Sequence, residues 1–515
     1  MALARTRSVA LMGVTGHLVD VEAAITSGTP GLHLVGLPDT ALSEARDRVR
    51  AAIMHSNEEW PVRHTTVALG PAGLPKAGAG FDVAIAVAIL AAAGELALSC
   101  CADLVMLGEL GLDGRIRPVP GVLPAVLGAV EAGCRTVVVP LANQVEAELV
   151  PDVKVIAVGS LRALLCHLRH EPPPLEPDEP VERLVPAVAE PARSRRGSLD
   201  LADVRGQAEA RRALEISAAG GHHLFLLGPP GCGKTMLAER LPTLLPPLDR
   251  KMALEVTAIH SIAGTLPPGR PLIDQPPFHS PHHTASRAAV IGGGSSRRVT
   301  PGSISLAHNG VLFMDEAPEY PSGVLDSLRQ PMESGEVCID RSGVSTRFPA
   351  MFTLIMAANP CPCAAAKVLQ CRCTPSVRTR YLAKISGPLL DRIDIKLELS
   401  PATRAELRYD LENAESSTTV AARVQEARDR ALTRMSGLPW RSNSEIPGPE
   451  LRRRFPVSPE ALAPLERALQ EGSLSARGMD RALRTAWTLA DLGARDTPAP
   501  WDTAEALDLW RGNRS

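Results

Sequence analysis

Gly228-Pro-Pro-Gly-Cys-Gly-Lys-Thr235 follows the apolar run His223-Leu-Phe-Leu-Leu227 and precedes the helical Met236-Leu-Ala-Glu-Arg240. Strand, glycine-rich turn ending in Lys-Thr, then helix: that order cradles nucleotide phosphates on backbone N–H groups at a helix N-terminus. The reading is that Gly228, Pro229, Pro230, Gly231, Cys232 and Gly233 wrap the phosphates. Lys234 reaches the β- and γ-phosphates, and the Thr235 hydroxyl joins Mg2+. Further along, Val311-Leu-Phe-Met-Asp-Glu316 is an apolar strand ending in two acids. Asp315 is placed to hold the metal and Glu316 to polarise an attacking water. ATP and Mg2+ are the cofactors these two motifs call for. A third apolar strand, Thr353-Leu-Ile-Met-Ala-Ala-Asn359, ends in a polar residue. Asn359, beside the strand bearing Asp315, is expected to orient that water.

At 515 residues the chain exceeds one core, and two to four domains are expected. Up to about residue 170, strand-like runs such as Thr65–Leu69, Leu104–Leu107 and Thr136–Val139 alternate with helical segments at Ala41–Met54 and Val122–Ala132, an α/β pattern. Residues 171–198 open with Glu-Pro-Pro-Pro-Leu-Glu-Pro-Asp-Glu-Pro180 and read as a Pro-rich linker. The nucleotide domain is expected over 199–400. Residues 401–515 are helix-rich, with amphipathic runs at Val420–Met435 and Arg477–Leu492.

The net charge of -2 and pI near 6.7 exclude a globally basic nucleic-acid binder and leave room for a local basic channel. With 3% aromatic residues, any grip on single strands would rest on backbone charge more than on base stacking. The N-terminus lacks a secretory signal, and the most apolar stretch, Val83–Ala93, is too short to span a bilayer. A cytoplasmic protein without membrane contact is the expectation, and its ten cysteines are expected to be reduced.

Four of those cysteines, Cys361, Cys363, Cys371 and Cys373, form two C-x-C pairs. Two such pairs can supply a tetrahedron of thiolates to a structural zinc; reduced thiols in a loop are the alternative. Arg392, in Gly387-Pro-Leu-Leu-Asp-Arg-Ile-Asp394, is a candidate arginine finger for a neighbouring subunit's γ-phosphate, with an ion pair to Asp391 or Asp394 as the competing role. Arg477 opens a C-terminal helix and is the candidate to fold over the same phosphates from the lid; Arg481 is the other. A Gly-, His- and Arg-rich segment holds His282, His283, Arg297 and Arg298. Its arginines suit phosphate contacts that do not read sequence, and its histidines suit a loop near the nucleotide. Val337–Arg347 alternates apolar and polar residues around Arg341-Ser-Gly343, as a β-hairpin does.

In this order the motifs resemble the AAA+ ATPases. More narrowly, Pro277–Gly294, Pro301–Glu316, Asn359-Pro-Cys-Pro-Cys363 and Arg380–Ile395 resemble the magnesium-chelatase-like YifB/ComM family over nearly the whole chain. The resemblance implies an α/β AAA+ P-loop ATPase core with a helical lid. It implies Lys234, Thr235, Asp315 and Glu316 for nucleotide, metal and water, Asn359 as sensor, Arg392 as trans finger and Arg477 as lid sensor. It further implies a homohexameric ring acting on single-stranded or branched DNA in recombination or DNA uptake. A chelatase-type or chaperone-like ATPase remodelling a protein partner is the other function considered.

Pro71–Asp82 and Gly108–Pro118 with Gly121 are similar to the Lon-protease-like (S5-like) α/β domain, which implies that fold for residues 1–170. Lon peptidases act through a Ser–Lys dyad. Here no serine stands between Lys76 and Asp82, and the dyad lysine's place falls on Leu123. A scaffold or DNA platform without peptidase chemistry is therefore expected.

Overall fold

The computed structural model describes residues 2–36, 41–76, 78–101, 103–174, 199–267, 271–294, 299–341, 344–365 and 371–512. Most of the expected linker, Arg297, Arg298 and the turn Ser342-Gly343 lie outside these residues, and Arg341 is described for its backbone alone.

The N-terminal region is built on a seven-stranded sheet. Its order is Gly31–Val35, His64–Gly70, Thr15–Thr26, Ala2–Met12, Leu104–Met106, Thr136–Pro140 and Lys154–Val158. The first two strands of the chain pair antiparallel through Ala2↔Ile25 to Met12↔Thr15, a hairpin that the sequence reading did not anticipate. The reason is chemical. The inward positions of the first strand include Ala4, Thr6, Ser8 and Ala10, small or polar residues that hide the alternation although all four are buried. Thr6 Oγ1 donates to the Ala84 carbonyl at 2.9 Å, which lets a polar residue sit under a helix. That helix, Asp82–Ala93, buries nearly its whole circumference, so its apolar run is core.

A second sheet has five parallel strands in the order Phe278–His279, Gly310–Met314, Phe352–Ala358, Leu224–Leu227 and Ile395–Glu398. All five point their carboxyl ends to one edge, where ligands bind in such sheets. The helices Ala208–Gly220, Ser417–Arg434 and Ala476–Leu492 pack together beside it. In Ser417–Arg434 the buried Val420, Val424, Ala427 and Ala431 recur at helical spacing, and Ser416 caps the N-terminus by accepting from Thr419 N. The hairpin expected at Val337–Arg347 is present as Glu336–Arg341 paired with Val344–Pro349.

The two sheets are joined by side chains. The helix Val122–Glu131 packs on Arg250–Ala263. Gly121 N donates to Ser261 O at 3.2 Å, and the buried Glu146 carboxylate accepts from Leu123 N at 2.9 Å, from Asn143 and from the Ser261 hydroxyl. Burial raises the Glu146 carboxyl above the usual carboxylate range. At the tip of the first hairpin, Gly13 lies at φ +62, and a Cβ there would meet the Arg347 carbonyl at 2.2 Å. Glycine is required at this contact on both counts.

Candidate nucleotide site

The phosphate loop leaves the carboxyl end of Leu224–Leu227 and enters the helix Lys234–Arg240. Two of its glycines answer to geometry. A Cβ on Gly228 would meet both the Cys232 sulfur and the Leu399 carbonyl at 2.8 Å, and Gly233 turns into the helix at φ +93. Gln207 fastens the loop from outside, its Nε2 donating to Cys232 O at 3.2 Å and Ser400 O at 2.7 Å.

Lys234 is buried, and its ammonium donates to Gly228 O at 2.6 Å, Pro229 O at 2.9 Å and Asn359 Oδ1 at 3.1 Å. Among the described residues no carboxylate pairs with it, so a buried cation faces neutral oxygens inside a glycine cradle. That donor set fits a polyphosphate. Directly after the strand Gly310–Met314, two places along the sheet from Leu224–Leu227, Asp315 Oδ2 accepts from Thr235 Oγ1 at 2.9 Å, which brings together the two groups suited to Mg2+. Asp315 Oδ1 accepts from the Glu316 N–H at 2.9 Å. Glu316 itself sits at φ +51, a left-handed conformation that costs a non-glycine residue about 1 kcal/mol or more. Its carboxylate faces the loop that follows the adjacent strand Phe278–His279: His283 Nδ1 lies 3.4 Å from Glu316 Oε2. His282 stacks on His283 with ring centroids 4.1 Å apart, and Tyr320 donates to Pro281 O, holding this segment in place.

Lys234, Thr235, Asp315, Glu316 and Asn359 are thus gathered at one sheet edge. Arg392 and Arg477 are not. Arg392 precedes the strand Ile395–Glu398, whose Ile395 pairs with Leu224 and whose Glu398 pairs with Leu227. It lies at the amino edge of the parallel sheet, so the strand alone separates it from its own phosphate loop by about 13 Å. There its guanidinium pairs with Glu333 at 2.6 Å and donates to Pro388 O at 2.7 Å. The competing role expected for it, a pair with Asp391 or Asp394, is taken by other residues. Arg477 reaches Asp391 at 3.2 Å and the same Glu333 oxygen at 3.8 Å. Arg481 is buried against Asp394 at 2.8 Å. Arg477 is half exposed while the Arg392 side chain is only 8% exposed.

The four cysteine sulfurs lie within 4.8 Å of one another, the one group of three or more candidate metal ligands among the described residues. In the N-terminal region Lys76 is buried, bonded to the Pro71 and Leu74 carbonyls, and Leu123 is core. Asp82 is buried on Arg48 at 2.8 Å and accepts from Leu110 N; burial pushes its carboxyl up to about 6.

Gln207 and Glu333 escaped the sequence reading. The turn Arg205-Gly-Gln207 directly before a helix was the available signal for the first. Glu333 carries no local mark, since its partners are distant in the chain.

A parallel sheet with a phosphate loop after one strand, paired acids after its second neighbour and a polar sensor between them defines an AAA+ type P-loop protein. Sequence comparison agrees. Residues 200–407 match "Magnesium chelatase, subunit ChlI", residues 414–510 match "Magnesium chelatase, subunit ChlI C-terminal", and residues 21–143 match "Subunit ChlI of Mg-chelatase". The chain is 41% identical to YifB of Escherichia coli over 496 residues, covering 96% of this chain and 94% of the other. It is 39% identical to the competence protein ComM of Haemophilus influenzae over 508 residues, covering 98% and 97%. A Lon protease of Geobacter metallireducens is 30% identical over 197 residues, which is 36% of this chain and 23% of the Lon chain. The chain belongs to the YifB/ComM family of magnesium-chelatase-like AAA+ proteins, an α/β fold with a Lon-protease-like region. Among the described residues no helix is long and apolar enough to cross a membrane.

Proposed function

We propose that this chain hydrolyses ATP at the Lys234–Asp315 site and works as a ring of identical subunits that moves DNA, single-stranded or branched. The observation that carries the hydrolysis is the joining of Thr235 to Asp315 at 2.9 Å beside a buried Lys234 with no carboxylate partner among the described residues. Bound Mg2+ would supply charge neutralisation at the β- and γ-phosphates. Lys234 would exchange its carbonyl partners for phosphate oxygens while keeping Asn359 within reach, and Asn359 and Glu316 would hold and polarise the attacking water. The contact with His283 restrains Glu316 weakly, and its release would favour hydrolysis.

The placement of Arg392 supports the ring. At the amino edge of the sheet it cannot serve its own loop, and with Arg477 on the same Glu333 it forms a basic pair suited to a neighbour's γ-phosphate. Engagement requires Arg392 to leave Glu333, and an approaching polyphosphate is the stronger partner for a bidentate guanidinium. The DNA assignment is supported by the name of the competence protein ComM, similar over nearly its full length.

The test is ATP hydrolysis by the full chain at moderate salt, alone, with branched DNA, and with an unfolded protein. Stimulation by DNA supports the motor. Stimulation by the unfolded protein alone moves the assignment to remodelling of a protein partner.

A further inference from the structure

The connection from the sensor strand to the last strand of the second sheet begins Asn359-Pro-Cys-Pro-Cys363 and passes Cys371-Arg-Cys373 before entering the helix Pro375–Leu382. Little in its first half can pack: Pro362, Cys363 and Ala364 are exposed, and so are Arg372 and Thr374 on the far side. Such a segment holds one conformation only if something other than apolar burial fixes it. The cysteines are what converge. Cys361 Sγ lies 3.1 Å from Cys363 Sγ and 3.4 Å from Cys371 Sγ, and Cys363 and Cys371 are 3.5 Å apart. With Cys373 all four sulfurs fall within 4.8 Å. These are free thiols rather than bonded pairs. Four sulfurs at about 2.3 Å from one zinc ion would be about 3.8 Å apart, close to the spacing found.

Two further observations point to an ion. The turn at the first pair closes by Ala364 N donating to Cys361 O at 3.2 Å, with Ala364 at φ +47, so the backbone curls around the sulfurs. From the helix that follows, the Arg378 guanidinium faces Cys371, while its buried Nε has no partner among the described residues. Four thiolates around one divalent cation leave a net charge of about minus two, and a guanidinium beside them is the compensation such a centre recruits.

The geometry points to a structural zinc held by Cys361, Cys363, Cys371 and Cys373, with Arg378 as its charge partner, acting as a clip on the nucleotide site. The placement gives the clip its consequence. Asn359, the residue that holds Lys234, stands just before the first cysteine pair. The helix beyond the second pair carries the buried Tyr381, which lies beside Glu319, and is followed by Lys384, 3.8 Å from the same carboxylate. Glu319 belongs to the short turn Ala317–Glu319 directly after Glu316. One metal therefore closes a loop whose two ends touch the sensor and the acid turn of the same site. The consequence for turnover rests on the hydrolysis proposed above; the metal site does not.

The experiment is elemental analysis of untagged full-length protein purified under reducing conditions, compared with C361S/C363S, C373H and K234A. One zinc per chain is expected in the wild type and in K234A, and less than a tenth of that in C361S/C363S. C373H, which keeps four ligands, should retain the metal. Cobalt-substituted protein should show the intense visible bands of tetrahedral cobalt thiolate, which fade on loss of two cysteines. Nucleotide binding followed by fluorescence should persist in C361S/C363S while turnover drops at least tenfold. Wild-type protein with no zinc, or with the four cysteines recovered as disulfides under these conditions, would overturn the site. A zinc-free variant that turns over ATP at the wild-type rate would overturn the clip. If the wild type binds zinc but hydrolyses no ATP, the ATPase proposal fails and the metal site stands.

Discussion

Glu316 is the residue on which the proposed hydrolysis depends most narrowly. Its left-handed backbone is paid for by the structure around it, and its carboxylate faces His283. Glu316→Gln should lower the turnover rate by about 100- to 10,000-fold, the range for loss of a positioned base, while ATP still binds. His283→Asn removes the restraint. Because both side chains are partly exposed, the pair is worth at most about 1 kcal/mol, so basal hydrolysis should rise no more than about fivefold. Steady-state phosphate release measures both, and a His283→Asn protein slower than wild type with nucleotide binding intact would make the histidine a helper of catalysis. At this scale the sequence was informative where residues act within one short motif. Gly228 to Thr235, Asp315 and Asn359 were legible because strand, loop and helix constrain spacing. Glu333 was not, since an ion pair between Glu333, Arg392 and Arg477 joins segments far apart in the chain.

At the scale of elements, the sensitive junction is the start of two adjacent strands. His222 and His223 precede Leu224–Leu227, and Asp394 precedes Ile395–Glu398, with Arg481 and Arg484 arriving from the helix Ala476–Leu492. His223 N donates to Asp394 Oδ2 at 2.9 Å, Arg481 donates to Asp394 Oδ1 at 2.8 Å, and His222 Nε2 meets Thr488 Oγ1 at 2.7 Å. Burial pushes both histidines down to about 4, below the ordinary value of 6.5, and Arg481 holds Asp394 well below the usual carboxylate range although burial opposes it. The sign follows from linkage. The unfolded chain takes up protons on these histidines before the folded chain does, so their stabilising contribution is complete above about pH 6.5 and is lost as pH falls toward 4. Asp82, raised to about 6, acts oppositely over part of that window, so the difference between wild type and His223→Gln isolates the effect. Urea unfolding from pH 7 to 5 should show wild-type stability falling more steeply than that of the variant; parallel curves would contradict the assignment. Asp394→Asn should destabilise by about 3–5 kcal/mol at neutral pH, since Arg481 would remain buried without its partner. The first hairpin shows where elements were hard to see in advance. Its core face is Ala, Thr and Ser, so hydrophobic alternation carried little signal, whereas the lid helix with Val420, Val424 and Ala427 announced itself by period.

For the whole molecule, the ties between the N-terminal sheet and the region of the second sheet include the Glu146–Ser261 contact and the tip at Gly13 against Arg347. Gly13→Leu combines a left-handed backbone with a clash against a carbonyl and should cost about 1–3 kcal/mol. Calorimetry should then show the two regions melting apart; a single transition unchanged in midpoint would argue that the tip contact carries no coupling. The central claim concerns the nucleotide site itself, built from Lys234, Thr235, Asp315, Glu316 and Asn359 of one chain and proposed to be completed by Arg392 of the next. Steady-state ATP hydrolysis by Arg392→Ala, measured beside nucleotide binding and beside Lys234→Ala, tests it most directly. The account predicts that Arg392→Ala binds ATP as the wild type does and hydrolyses it at least about 1,000-fold more slowly, whereas Lys234→Ala loses both. Hydrolysis by Arg392→Ala at the wild-type rate would show that the site is complete within a single chain.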